Sequence, residues 1–270
     1  MNGRRVLTIA RKDLSEVLRN KQALAPLLVV PIIFAVVFPA AIALLGRSSV
    51  LTASINGLDA FLDNIPAGVL PPDLDTGGIV VYAALTYFMA PLFLMIPIMV
   101  ASVIGSSSFV GEKERRTLEG LLYTPVTNRE LVLGKVLASL VPAVGITWGS
   151  FILYAVIANV LGNPVVGRAF FPNATWLIVV FLLVPCVAFL AITLIVAVSG
   201  RSTTVQGAQG ISVLVLLPVL ALVVGQATGL MLFDAAVALI AVGAIAVIDV
   251  AVFLAVAKTF QRERLITKLT

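Results

Sequence analysis

Six long apolar runs dominate the chain, at about 23–45, 79–108, 131–160, 174–198, 208–230 and 235–257. A helix needs about 20 apolar residues to cross a hydrocarbon core of about 30 Å. The pattern therefore predicts an all-α integral membrane protein with six transmembrane helices. The first run, Ala23 to Leu45, exceeds the about 7–15 apolar residues of a cleavable signal and reads as a span. The fifth contains Gly210, Pro218, Gly225 and Gly229. A broken or re-entrant path is open to it, since irregular backbone is tolerated at membrane depth where protein or a water-lined cavity covers it.

Ahead of the first run, residues 1–22 carry a different period. In RRVLTIARKDLSEVLRNK, residues 4–21, the apolar Val6, Ile9, Ala10, Leu14, Val17 and Leu18 recur at helical spacing. Arg4, Arg11, Lys12, Ser15, Glu16 and Arg19 fall mostly elsewhere on the wheel. This predicts an N-terminal amphipathic interfacial helix, apolar face down. It serves either as an anchor alone or as an elbow that also frames a docking surface.

Composition agrees. Of 270 residues, 60% are hydrophobic and 11% charged, against roughly 25% charged in soluble domains. The net charge of +5 is spread over short loops with no aromatic interleaving, so nucleic acid is not an expected partner and the lipid bilayer is. Sixteen of the eighteen Lys and Arg lie in the segments shared with the two termini; only Arg47 and Arg168 lie opposite. The positive-inside rule places both N- and C-termini in the cytoplasm and the loop 46–78 outside. A multi-pass protein of the cell (plasma) membrane is expected. There is no histidine, and the single cysteine, Cys186, has no internal partner. A serine–histidine dyad or histidine-based zinc site is excluded, and with it most intramembrane protease chemistry.

One loop breaks the apolar rhythm. Residues 111–122 read GEKERRTLEGLL, with five charges in a row from Glu112 through Lys113, Glu114 and Arg115 to Arg116. Positive charge alone would orient the protein, but that leaves Glu112, Glu114 and Glu119 without a reason. Leu118, Leu121 and Leu122 have the i, i+3, i+4 spacing of one helical face. Thr124-Pro125 stops that helix, and Thr127-Asn128-Arg129-Glu130 fits a capping box for the next. The coupling segment 111–128 thus reads as a bent helical element with apolar knobs in a charged collar. It is either a docking peg for a soluble partner or an ordered, solvated loop. No GxxxxGK[ST] loop is present, so any nucleotide hydrolysis belongs to another chain.

Residues 111–138, GEKERRTLEGLLYTPVTNRELVLGKVLA, closely resemble the signature region of ABC-2 type transporter permeases. The match falls on Gly111, Glu112, Lys113, Glu114, Thr117, Leu118, Glu119, Leu121, Leu122, Thr124, Pro125, Gly134 and Lys135. Entry helix, six spans and short external loop agree in layout. The resemblance implies one ABC-2 transmembrane domain over 1–270, in an ATP-driven exporter. It implies that Gly111, Glu112, Lys113, Glu114, Arg115, Arg116, Thr117, Leu118, Glu119, Gly120, Leu121 and Leu122 form a cytoplasmic coupling helix resting on an ABC ATPase subunit. Two copies of that subunit, holding ATP and Mg, would drive a permease pair, either a homodimer or two related permeases. The chain itself is then no enzyme and holds no cofactor.

Further readings concern the membrane interior. Asp249 is the ionisable group deep in a span, and such residues are costly and often functional. It serves either a substrate or ion path or local packing. The soft and aromatic residues of the second span, Tyr82, Tyr87, Phe88, Met89, Phe93, Met95 and Met99, favour packing over a pathway lining. Gly225 and Gly229 form a GxxxG, a weak signal for close helix approach. Trp148, Tyr154 and Trp176 are candidate interface anchors, Trp176 the clearest. Asn173-Ala174-Thr175 is a glycosylation sequon. The rival functions are an ion-coupled secondary transporter or channel using Asp249, and a non-transporting scaffold that recruits a cytoplasmic protein.

Overall fold

A computed structural model describes residues 3–46, 70–114, 128–199, 202 and 204–259. These are 88% helical and contain no strand. The helix α1, Gly3–Arg19, precedes six helices long and apolar enough to cross a membrane: Leu24–Leu45, Thr76–Phe109, Glu130–Val166, Ala174–Ser199, Val205–Ala227 and Ala235–Val256. They are the first to sixth spans below. Most of the external loop 46–78 and most of the coupling segment, 115–127, lie outside the described residues.

Span ends follow from capping chemistry. A helix start leaves backbone N–H groups without partners, and in a bilayer no water supplies them. Asp75 accepts from Gly78 N at 2.7 Å, Asn173 from Trp176 N at 3.1 Å, Thr204 from Gly207 N at 3.1 Å and Asp234 from Val237 N at 2.9 Å. These four caps open the second, fourth, fifth and sixth spans. Asn173, the sequon residue, thus has a structural task. The third span belongs to a single helix, Asn128–Val166, of 39 residues. At about 1.5 Å per residue it is about 58 Å long, so it outruns the membrane core.

The fifth span crosses as one helical segment, tightened near its start by a 3-10 turn at Gly210–Ser212. The GxxxG there is not a packing motif. Gly229 has φ +71, Leu230 N donates to Gly225 O and Gly229 N donates to Gln226 O. That is a Schellman turn ending the helix, with glycine where a left-handed residue is required.

The second and fourth spans form the centre of the bundle. Within their apolar windows 78% and 61% of residues are buried, against 22%, 22% and 11% for the third, fifth and sixth. The second span is also the most broken. It passes through a π-helical turn at Ala84–Phe88 and a further break at Leu94, with Pro91 and Pro97 nearby. Pro91 has no N–H, so it cannot serve the carbonyl of Tyr87 or of Thr86 behind it. Side chains from three other spans take the freed carbonyls in succession. Tyr154 Oη donates to Leu85 O at 2.6 Å, Trp176 Nε1 to Thr86 O at 2.8 Å and Gln226 Nε2 to Tyr87 O at 3.3 Å.

Those bonds correct the anchor reading. Tyr154 and Trp176 are fully buried and stacked at 4.6 Å between ring centroids, with Phe93 and Phe171 against them. An aromatic ring with a polar tip suits a membrane interface, but equally a core with a loose carbonyl. Trp148 is 40% exposed and donates to Val180 O, in the π-helical turn of the fourth span. Tyr154→Phe keeps the ring stack and removes the hydrogen bond to Leu85 O. It should cost about 1 kcal/mol, whereas Trp176→Ala should cost about 3–5 kcal/mol. Unfolding midpoints in detergent, compared between the two variants, check this order.

Candidate functional site

At one end of the bundle α1, the end of the second span and the start of the third converge. α1 presents Val6, Ile9, Asp13 and Val17 inward, the i, i+3, i+7, i+11 stripe of one helical face. The helix can lie this close because residue 134 is glycine. A Cβ there would sit 2.9 Å from Ile9 Cβ and 3.1 Å from Val6 O. The close approach carries an acid, Asp13, onto the third span.

Asp13 meets a buried charge cluster. Lys135 Nζ lies 3.3 Å from Asp13 Oδ2 and 2.9 Å from Glu112 Oε2, and it also donates to the carbonyl of Ser108. Ser108 Oγ donates to Asp13 Oδ2, and Lys12 Nζ donates to Glu112 Oε1. Lys12 also lies 3.4 Å from Asp13 and 3.5 Å from Glu16. Asp13, Glu112 and Lys135 are each at most 4% exposed. The ring of Phe109 lies 5.7 Å from the Lys135 ammonium. Nearby, Arg5 pairs with the buried Glu130 at 3.9 Å, and Glu114 accepts from Val205 N at 2.8 Å.

Partial burial works against the charge on Lys12. Its hydrogen bond to Glu112 and the fields of Glu112, Asp13 and Glu16 outweigh that, and its ammonium titrates above the usual lysine value of 10.5. Its contribution to stability is therefore complete below that value and fades as pH rises through the higher folded one.

The carboxylates of Asp13, Glu16 and Glu112 come within 4.8 Å of one another, a spacing suited to a cation. Lys12 touches all three and already supplies the positive charge.

Of the expected coupling residues, Gly111 to Glu114 are described as a short helix. Glu112 is the one drawn into the cluster and Glu114 is tied to the fifth span. Arg115, Arg116, Thr117, Leu118, Glu119, Gly120, Leu121 and Leu122 lie outside the described residues. Sequence reasoning had not singled out Asp13 or Ser108; it held Lys12 only as part of a polar helix face, Glu130 as a capping-box acid and Lys135 as part of a motif. Asp13 was legible as an acid on an apolar stripe. Asp249 stands apart, on the sixth span within electrostatic range of Cys186 on the fourth. It is 7% exposed, and among the described residues its Oδ1 has no hydrogen-bond partner.

Six long apolar helices define a multi-pass membrane protein. The family model described as ABC-2 family transporter protein matches residues 7–246, and the chain belongs to that family. It is a membrane permease of an ABC transporter, and such permeases usually work with an ATPase subunit. A search of curated proteins gives no match.

Losing one member of a buried ionic cluster costs about 3–5 kcal/mol, because the remaining charges stay buried without compensation. Lys135→Met should lie in that range by denaturant titration. Adding Asp13→Asn to it should restore part of the loss, a coupling of about 0.5–3 kcal/mol.

Proposed function

We propose that this chain is the permease subunit of an ATP-driven exporter in the cell membrane, working as a pair and coupled to a separate ATPase through residues 111–122. Its termini, and the bundle end that holds the charge cluster, face the cytoplasm. ATP and Mg act in the ATPase subunit, of which two copies serve the pair.

The observation that carries this reading is the burial of Glu112. A solvated loop would leave its acids in water. Here the second residue of the segment is fixed by two lysines, one on α1 and one on the third span. A push on the segment would reach both helices through charge-assisted bonds. It would also reach the second span directly, since Phe109 ends that span two residues before Gly111. The breaks at Leu94 and Ala84–Phe88 are where that rod can bend. Leu94 lies between the part joined to the segment and the Ala84–Phe88 turn, whose carbonyls are held by Tyr154, Trp176 and Gln226. A nearly uncharged bundle interior leans toward an amphipathic or lipid-like substrate.

Leu121→Arg tests the docking. In the purified permease–ATPase complex it should abolish stimulated ATP hydrolysis and transport while insertion and folding persist. Survival of both activities would sink the peg reading. Asp249→Asn separates this proposal from an ion-coupled one. Under the ATP-driven reading, transport should continue with an unchanged pH profile. Transport that follows an ion gradient and is lost in Asp249→Asn would favour the rival.

A further inference from the structure

α1 has three faces rather than two. At about 100° per residue, Val6, Ile9, Asp13 and Val17 share the buried arc. The next arc holds Ala10, Leu14, Leu7 and Leu18, and there Leu7 is 69% and Leu18 54% exposed. The third arc begins with Arg11 and Arg4, continues through Ser15, Thr8 and Arg19, and is exposed throughout. So the apolar face expected to lie on the membrane is divided. Half of it is taken by protein, and a second strip of leucines looks outward with arginine at its edge.

We propose that this outward strip docks on anionic lipid headgroups, with Leu7, Leu14 and Leu18 in the acyl boundary and Arg11 and Arg19 toward the headgroups. We further propose that occupancy by anionic lipid sets the efficiency of ATPase coupling. The second part rests on the coupling role proposed above; the first does not.

Charge complementarity names the occupant. The acids of α1, Asp13 and Glu16, are engaged by Lys12 and the cluster, so the exposed arc beside the leucines is basic. Leucines bordered by arginines match an anionic bilayer surface. The strip is also continuous with lipid-facing protein. Leu133 and Leu137 flank Gly134, the point where α1 crosses, and both are exposed. At Asn20 the chain leads directly into the first span, whose Leu28 and Val29 are exposed as well. The link to coupling is Asp13. The helix that touches lipid on one side is bound on the other to Lys135, which holds Glu112.

The test uses the full chain with its ATPase in nanodiscs of phosphatidylcholine and phosphatidylglycerol in equal amounts. A fluorophore goes on Leu7→Cys, or on Thr8→Cys in the polar arc, each in a Cys186→Ala background. Bromine is carried by one lipid or the other. The label at position 7 should be quenched roughly twofold or more strongly by brominated phosphatidylglycerol, as headgroup attraction requires. Arg11→Gln with Arg19→Gln should erase that excess, and the label at position 8 should be quenched less. Stimulated ATPase activity should rise several-fold from pure phosphatidylcholine to the mixture, and not in the double arginine variant. Equal quenching by the two lipids would overturn anionic docking. So would absence of quenching with shielding of the label by the ATPase, which would assign the strip to that subunit. A quenching excess with flat ATPase activity would overturn the regulatory part. If no bilayer gives stimulated ATPase activity, the coupling role itself fails, and the quenching ratio still decides the docking.

Discussion

A charge withdrawn from water must take its counter-charge with it. In this protein that constraint acts on Asp13, Glu112 and Lys135, which come from three segments far apart in sequence and meet beneath the surface. Asp13 keeps its ionised partner only if α1 lies on the third span. Glu112 keeps its own only if the end of the second span stays beside both. Breaking such a knot costs about 3–5 kcal/mol, more than the about 1–3 kcal/mol typical of coupling between sites. In the proposed ATP-driven cycle the knot is therefore expected to move as one body rather than to open.

The second span is the opposite case. Its backbone is freed at Ala84–Phe88 and at Leu94, and the loose carbonyls are met by single side-chain bonds. Inside membranes such bonds average about 0.6 kcal/mol. Among the described residues, Thr86 Oγ1 and Gln226 Oε1, at the same break, have no hydrogen-bond partner. The most buried span is thus the least regular one, and a rigid joint at its foot leads into a rod with soft points above it. That ordering, stiff at the foot of the span and softer above it, follows from bond strengths.

How much of this was legible in the sequence depends on which physical rule wrote each part. The six spans were plain, because a helix needs a long apolar run to cross a bilayer. Their ends shifted where caps took over: Asp75 extends the second span to Thr76, and the third belongs to a helix that runs on to Val166. The cluster was half legible. Glu112 and Lys135 stood in a recognisable motif, but periodicity sorts charges to the outside, and Asp13 sits inside. Tyr154, Trp176 and the Gly225–Gly229 pair were misread because one residue pattern serves two physical ends. A polar-tipped ring suits an interface or a loose carbonyl, and two glycines suit a helix crossing or a helix stop. The leucine knobs Leu118, Leu121 and Leu122 fall outside the described residues, so their role stands on sequence and resemblance.

The knot also fixes something that sequence periodicity leaves free, the rotation of α1 about its own axis. Val6, Ile9, Ala10, Leu14, Val17 and Leu18 span an arc too wide for any one surface, and an amphipathic helix with such an arc has several ways to lie. Packing alone would choose weakly among them, since every part of that arc is aliphatic and hydrophobic burial is non-directional. Asp13 removes the choice. Turned away from Lys135 it would leave that buried ammonium with one counter-charge fewer, so the arc centred on it is the inward one. The leucines at 7, 14 and 18 are then turned outward by the placement of a single carboxylate. One buried acid sets both where this helix sits and which side of it meets the surroundings.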